Sequence, residues 1–339
     1  MKILVVQRDS LVAGVNFSLS VYARVVEAMD WLRDQGKIQY AVCGENEEAI
    51  FPALRWADAV IFNKHISAGA VRIAEEARKR GLRTLLDFDD LVTAFPAYSA
   101  GADEHEKFFP GEMLGLMDVV TVANARLRKE ISPLRDDCVL VPNGIYAEKY
   151  PKPVMEEASP PRCVFTNADY LKIDRFRRGF TRVLQDFHQL HPEITFDFFG
   201  DAFPELLSLP FIHYTRRIPY SEYINCLART GYCFAITPLG GKEDAANLRF
   251  NRCKNPFKFL NYGIAGIPAV YSSTDIYDEC IDNGVTGLIA KNDYASWMEK
   301  LEYMYADANF RRKIKYTSYN CIYAKYHIRE SANKFFDLI

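Results

Sequence analysis

Short apolar runs alternate with amphipathic stretches along the chain. KILVV, IQYAVC, AVIFN, RTLLDFD, DVVTVA and CVLVPNG each read as a buried strand, and helical periodicity fills the segments between them. Ile66 to Arg80 shows the period well: Ile66, Ala70, Ile73, Ala74 and Ala77 fall on one side, and Gly81 stands just past the end. The pattern predicts a surface helix packed on a sheet. Strands and helices in this order predict an α/β fold whose parallel sheet is covered on both faces.

The alternation breaks at YPKPVMEEASPPR, where four prolines interrupt every periodic pattern, as in an interdomain linker. It then restarts with RCVFTN, a helix through Phe187, ITFDFFG, FIHY, a helix from Ser221 to Arg229, YCFAIT, KNPFKFLNYGIAGIPAVYS and GLIA. Two doubly wound, Rossmann-like halves follow from this. Residues 1–148 form an N-terminal domain, 149–161 a linker, 162–310 a second domain and 311–339 C-terminal helices that are free to return to the first domain. Near the end, Tyr294, Trp297, Met298, Leu301 and Met304 keep helical spacing behind a capping Asp293. In open α/β sheets ligands sit at the carboxyl ends of strands, and two such halves facing each other enclose a cleft.

The length of 339 residues exceeds the size at which one core stops growing, which agrees with two domains. A formal charge of −2 supplies no global attraction for nucleic acid, and no nucleic-acid partner is expected. MKILVVQRDS is too short an apolar run for a signal peptide, and no stretch approaches the roughly 20 apolar residues of a membrane span, so a cytoplasmic location is expected. The eight cysteines are scattered without a CxxC pair and the six histidines form no metal-binding cluster. Zinc is not expected.

KNPFKFLNYGIAGIPAVYS carries the sharpest chemistry. Asn255 suits an N-cap and Pro256 the first helical position, while Gly266 and Pro268 end the helix before a strand. Lys258 then lies in the first turn, where a cation opposes the positive end of the helix dipole. Free amides, the dipole and the pair Lys254 and Lys258 together make an anion site suited to phosphate. The alternative is that both lysines point into water.

Several segments resemble the two-domain GT-B glycosyltransferases, in particular the retaining group called glycosyltransferase family 4. These are VPNGI (Val141 to Ile145), KNPFKFLNYGIAGIPAVYS, YDECIDNGVTGLIAKND, and a tail containing ANFRRKIKYTSYNC. DFDD is similar to a subgroup that acts on bacterial surface polysaccharides. The resemblance implies transfer of a sugar from a nucleotide diphosphate sugar to a hydroxyl, probed by cations and amides on the leaving diphosphate, with no cofactor and no divalent metal. It assigns Lys258, Lys254, Asn255, Pro256 and Phe257 to the donor, with Lys172 or Arg175 as a further cation and the backbone of Arg217 and Ile218 near the nucleobase. It also has departures. Two glutamates that many members carry eight positions apart correspond to Cys253 and Asn261, and Asn261 would contact the donor without a charge. A glycine pair in the first loop is reduced to Gly14, on the acceptor side.

DFDD supports three readings. Asp87, Asp89 and Asp90 could hold a divalent ion, as D-x-D motifs do in the other major glycosyltransferase architecture. In the GT-B reading Asp89 stands near the place many members give to histidine, and Asp87 or Asp89 would orient the acceptor hydroxyl or stabilise positive charge at the reacting carbon, with Asp90 beside them. The third reading is that the carboxylates cap the following segment. His65 in FNKHIS is a further acceptor-side candidate or a plain loop residue. Asn143 and Gly144 would make a turn, Gly240 and Gly241 a loop over the phosphate site, and Glu243, Asp244 and Arg249 further donor contacts. The basic, tyrosine-bearing tail from Arg311 to Lys325 would either pack on its domain or rest on the inner face of a membrane carrying a lipid-linked acceptor. The sequence thus points to a cytoplasmic glycosyltransferase of polysaccharide or glycoconjugate assembly, its acceptor a glycan, a lipid-linked glycan or another hydroxyl. The alternative is a nucleotide-sugar or glycan-binding protein of the same fold without turnover. A nicotinamide-dependent oxidoreductase would need a GxGxxG after the first strand, and the sequence has none there.

Overall fold

Every apolar run noted above forms a strand in the computed structural model, which describes residues 1–7, 19–64, 67–92, 110–167, 177–239 and 245–339. The chain forms two compact units. One gathers Met1–Tyr146, Cys253–Asn255 and His327–Ile339, the other Ala147–Arg252 and Pro256–Tyr326.

In the first unit, β1 (Lys2–Gln7), β2 (Gln39–Gly44), β3 (Ala59–Asn63), β4 (Arg83–Phe88), β5 (Val119–Val122) and β6 (Val139–Leu140) form one parallel sheet in the order β2-β1-β3-β4-β5-β6. All five residues of β3 are buried, as a sheet covered on both faces requires. The strand order reverses between β1 and β3, and the carboxyl ends flanking such a reversal are where ligands settle. The periodic helix runs Ala68–Lys79, with Ser67 Oγ accepting the Ala70 N–H at 3.0 Å, and Gly81 takes a left-handed φ of 70° after it. Its expected start at Ile66 lies outside the described residues. The last helix, Arg329–Leu338, inserts Ala332 and Phe335 among Val25, Met29 and Leu32. It is tied down where the Ile328 N–H donates to Ile145 O at 3.0 Å, and a Cβ on Gly144 would come within 2.8 Å of Ile328 Cα. Gly144 therefore serves close backbone approach.

In the second unit, β7 (Arg162–Asn167), β8 (Thr195–Gly200), β9 (Ile212–Thr215), β10 (Phe234–Thr237), β11 (Ala269–Ser272) and β12 (Leu288–Ala290) form a parallel sheet in the order β12-β11-β10-β7-β8-β9. Its reversal lies between β7 and β10. Aromatic rings fill the core: Phe165 lies 4.7 Å from Phe198 and 5.3 Å from Phe180, whose ring meets Trp297 edge-on at 5.6 Å. The helix Tyr294–Ala306 starts behind Asp293, which accepts the Ser296 N–H, and buries Trp297, Leu301 and Met304 as expected. Tyr294 departs from that face. It is exposed, and its hydroxyl donates to Asp186 at 2.7 Å.

The proline-rich segment is held firmly. The Val154 N–H donates to Ala228 O at 2.9 Å and the Ala158 N–H to Gly231 O at 2.8 Å, while Arg311 forks onto Glu157 with two bonds of 2.8 Å. Lys315, 3% exposed, donates to Met155 O at 3.0 Å. Two of the tail's cations thus face inward on the helix Ala308–Lys325, Arg311 onto the Glu157 carboxylate and Lys315 onto linker carbonyls, and only Arg312, Lys313 and Lys325 of its basic residues face water. Packing dominates this helix. Among the described residues, no helix is long and apolar enough to cross a membrane.

Candidate functional site

At the carboxyl edge of the first sheet a buried arginine organises several loops. Arg24 sits in a π-helical turn, Tyr22–Val26, and is 1% exposed. Its Nε donates to Asp87 Oδ2 at 3.0 Å, and its Nη2 donates to Asp87 Oδ1 at 2.9 Å and to Val141 O at 2.6 Å. Its Nη1 donates to Pro142 O at 2.8 Å and Asn143 Oδ1 at 3.3 Å. All five guanidinium donors are engaged. Asp87 also accepts from Asn63 Nδ2 at 3.0 Å and Thr121 Oγ1 at 2.6 Å, and none of it is exposed. A carboxylate with four donors and no open face has no lone pair left for an acceptor hydroxyl. The expectation that Asp87 touches substrate is therefore corrected: it holds the VPNGI turn through Arg24.

The rest of DFDD lies in a second, separate network. Lys64, immediately after β3, takes a left-handed φ of 54°, the one non-glycine residue among those described with a positive φ. Its backbone N–H donates to Asp87 O at 2.9 Å. Its Nζ donates to Asp90 Oδ2 at 3.0 Å and lies 3.1 Å from Asp89 Oδ1, close enough to pair in charge, though not aligned as a hydrogen bond. Asp89 is 2% exposed; burial pushes its carboxyl above the usual carboxylate range, with Lys64 pulling it back. Lys64 is held above the ordinary lysine value by Asp89 and Asp90, against its own burial. The Asp90 side chain keeps 27% of its surface and meets Lys254 Nζ at 3.6 Å. Among the described residues, no cluster of three or more His, Cys, Asp or Glu is placed to hold a metal ion. The carboxylates of DFDD are divided between Arg24 and Lys64.

Asn255 is part of this edge. Its Nδ2 donates to Asp89 O, and its Oδ1 accepts from Asn143 Nδ2 at 2.6 Å. Asn124 caps its own helix by accepting the Leu127 N–H at 2.8 Å and donates from Nδ2 to Cys253 O at 3.0 Å. With its side chain engaged in this way, Asn255 does not cap the next helix, contrary to expectation. That helix runs Phe257–Ile264, with Pro256 in the N-cap position and no side-chain cap. Pro256 is thus one position earlier than expected.

In the second unit this helix lies between β10 and β11, so its amino end is at the carboxyl edge of the sheet, as in βαβ crossovers generally. Its first turn holds no acidic residue and contains Lys258, which is half-buried. Phe257 and Ile218 are likewise half-buried. Asn261 is buried, and its Oδ1 accepts the Tyr220 hydroxyl at 2.5 Å. Arg217 Nε donates to Asp201 Oδ1 at 3.2 Å, just beyond β8, and the Asp201 N–H donates to Asn167 O at 2.9 Å at the end of β7. Gly200 between them has φ 123°, and a Cβ there would lie 1.9 Å from Asn167 O. Ser272 pins the end of β10 by accepting the Leu239 N–H at 2.6 Å and donating to Asn292 Oδ1 at 2.8 Å. Lys172, Arg175, Gly14 and His65, with Gly240, Gly241, Glu243 and Asp244, lie outside the described residues.

The structure therefore brings Asp89, Asp90, Lys254 and Asn255 together, and separately gathers Lys258, Pro256, Phe257 and Asn261 on one helix. Sequence reasoning missed Arg24 and Lys64. Arg24 had a signal, since YARVVEAM places one arginine in a stretch otherwise fit for burial. Lys64 had none.

No protein-family model and no curated protein matches the chain. Solved structures do match along its whole length. Sucrose-phosphate synthase from Thermosynechococcus elongatus superposes with a TM-score of 0.66 at 12% identity, covering 99% of this chain and 98% of that one. A glycosyltransferase from Rickettsia africae gives 0.64 at 13%, covering 99% and 97%. Anabaena HepE, in complex with UDP and glucose, gives 0.64 at 10%, covering 99% and 98%. The chain shares their fold. It is the two-domain GT-B architecture, with a Rossmann-like sheet in each unit.

Proposed function

We propose that the protein is a glycosyltransferase that takes a sugar from a nucleotide diphosphate sugar and passes it to a hydroxyl acceptor. One observation carries the reading: the helix Phe257–Ile264 begins uncapped and free of acid, with Lys258 in its first turn. A helix start carries positive potential and a lysine in its first turn adds to it, which suits the binding of an anion. A diphosphate supplies that anion, and its charge grows as the glycosidic bond breaks. Amides and an ammonium fixed in advance stabilise that growing charge, each such donor contributing about 3–4 kcal/mol to the barrier. That HepE, of the same fold, is seen with UDP and glucose supports this choice of ligand.

The acceptor is assigned to the first unit, where Asp90 is the carboxylate of DFDD with an open face. In this reading the leaving group is neutralised by protein cations and amides without a divalent metal, and transfer retains configuration. The product belongs to polysaccharide or glycoconjugate assembly, and a lipid-linked acceptor would bring the protein to a membrane surface. A second reading, a nucleotide-sugar binder without turnover, is favoured by Asn261, which carries no charge and whose Oδ1 is already taken by Tyr220.

The two readings separate in a nucleotide-release assay. The enzyme releases nucleotide from its donor slowly without acceptor, with water in the acceptor's place, and the binder does not. Thermal shifts across a panel of UDP-, GDP- and ADP-linked hexoses identify the donor, since a ligand at a hundred times its Kd adds about 2.7 kcal/mol of stability. Lys258→Ala is expected to abolish that shift with the fold intact. An unchanged shift removes the diphosphate from this helix end.

A further inference from the structure

Asn261 lies on the helix Phe257–Ile264, three residues after Lys258 and four after Phe257, and so on the face those two share. Side chains lean toward the amino end of their helix, so its amide tips toward the end assigned to the diphosphate. The residue is only 5% exposed. Its Oδ1 accepts the Tyr220 hydroxyl at 2.5 Å, and among the described residues no hydrogen bond engages its Nδ2, which is not sealed from solvent. Buried polar groups are nearly always paired, so two N–H donors left open on so enclosed a side chain point to a ligand.

The pair is held in place by its neighbours. Tyr220 is buried and opens the helix Tyr220–Thr230, which follows β9, so it stands at the carboxyl edge of the same sheet. Tyr223, on the same helix, shares a 2.8 Å hydrogen bond with Thr166 Oγ1, and the hydroxyl of Tyr262, next to Asn261, donates to that oxygen at 3.2 Å. Both helices are thus pinned to the end of β7. With its proton on Oδ1, the Tyr220 hydroxyl also sets which way the amide faces, because turning the amide over would bring its N–H groups against that proton. An amide held this way offers a ligand only hydrogens. It also adds no negative charge near a diphosphate, as a carboxylate would.

We infer that Tyr220 is a positioning residue that sets substrate specificity: it orients Asn261 to donate a hydrogen bond to a sugar oxygen beside the diphosphate. This rests on the diphosphate being bound at this helix, and it holds for transferase and binder alike. Tyr220 acts only through Asn261. The oxygen that Asn261 meets needs a lone pair and no proton, so a hydroxyl or an ether serves there. A deoxy carbon does not, because it leaves the enclosed N–H groups unpaired.

The test is calorimetric titration of the whole chain with the nucleotide sugar that gives the largest thermal shift in the panel, and with its nucleoside diphosphate. Asn261→Leu is expected to raise Kd for the nucleotide sugar about 10-fold, the scale of one hydrogen bond. An equal loss for the nucleoside diphosphate places the oxygen on the nucleoside, and a loss confined to the nucleotide sugar places it on the transferred sugar. Analogues of the sugar so identified then read the direction of the bond on the wild type, with no variant needed: the O-methyl form binds more tightly than the deoxy form. Asn261→Leu erases that preference. Tyr220→Phe raises Kd about threefold, the low end for a neutral hydrogen bond, and has no further effect in the Asn261→Leu background. An unchanged Kd in Asn261→Leu, a wild type that binds the deoxy form at least as tightly as the O-methyl form, or a Tyr220→Phe loss that is the same in both backgrounds overturns this inference alone. If Lys258→Ala leaves the thermal shift unchanged, the diphosphate is not at this helix and both readings fall together.

Discussion

Replacing Arg24 with methionine removes the centre of the first unit's carboxyl edge. The substitution keeps roughly the volume of the side chain but deletes five hydrogen bonds, two to Asp87, two to the carbonyls of Val141 and Pro142, and one to Asn143. Asp87 would keep Asn63 and Thr121 as donors but lose its counter-charge in a site with no exposed surface. Breaking a buried ion pair from one side costs about 3–5 kcal/mol, because the remaining charge is uncompensated. A domain is stable by only about 5–15 kcal/mol, so a large share would be lost. Urea unfolding followed by the fluorescence of Trp31 and Trp56, both in this unit, measures the change. Asp87→Leu should cost a similar amount, and the double variant should cost less than the sum, with a coupling of about 3 kcal/mol for direct neighbours. A loss below about 1 kcal/mol for Arg24→Met, the range of exposed pairs, would refute the assignment of Asp87 to structure.

Three further outcomes follow from the same geometry. Gly200→Ala should destabilise the second unit by at least the roughly 1–3 kcal/mol of an overpacked site, since its Cβ meets Asn167 O at 1.9 Å; a neutral effect in urea unfolding would contradict that backbone contact. Because burial raises the Asp89 carboxyl, the wild type should be most favoured relative to Asp89→Asn at acid pH and lose that advantage as pH rises through the folded-state value; melting curves of both from acid to neutral pH decide it, and a wild-type advantage that grows with pH would show that Lys64 outweighs burial. Alkylation at pH 8 should label the exposed Cys226 first and spare Cys280, whose thiol burial pushes up to about 12; early modification of Cys280 in peptide mapping would contradict its burial.

The fold was legible because parallel strands covered on both faces are continuous apolar runs, and KILVV, AVIFN and RTLLDFD admit little else. Proline and glycine punctuation likewise located the end of the helix at Phe257–Ile264, closed by Gly266 with φ 63°. The site was legible only in part. Asn255 has the chemistry of an N-cap, yet Asn143 and the Asp89 carbonyl claim its side chain first, and no local rule sees partners more than a hundred residues away. DFDD shows the same limit. Adjacent carboxylates look alike in sequence, but Asp87 is still within β4 and turns to Arg24, whereas Asp89 and Asp90 lie past its end and turn to Lys64. The tail from Arg311 to Lys325 left open packing on its domain or rest on a membrane, and its sequence could not say that Arg311 and Lys315 are the cations turned inward, toward Glu157 and the linker's carbonyls. Lys64 went unseen because a left-handed lysine leaves no trace in composition or period.

A crystal structure with the nucleotide sugar selected by the thermal-shift panel tests the central claim most directly. The account predicts the diphosphate at the amino end of the helix Phe257–Ile264, within hydrogen-bond reach of its first amides and of Lys258 Nζ. Phosphates bound elsewhere, with that helix end left to water, would contradict it.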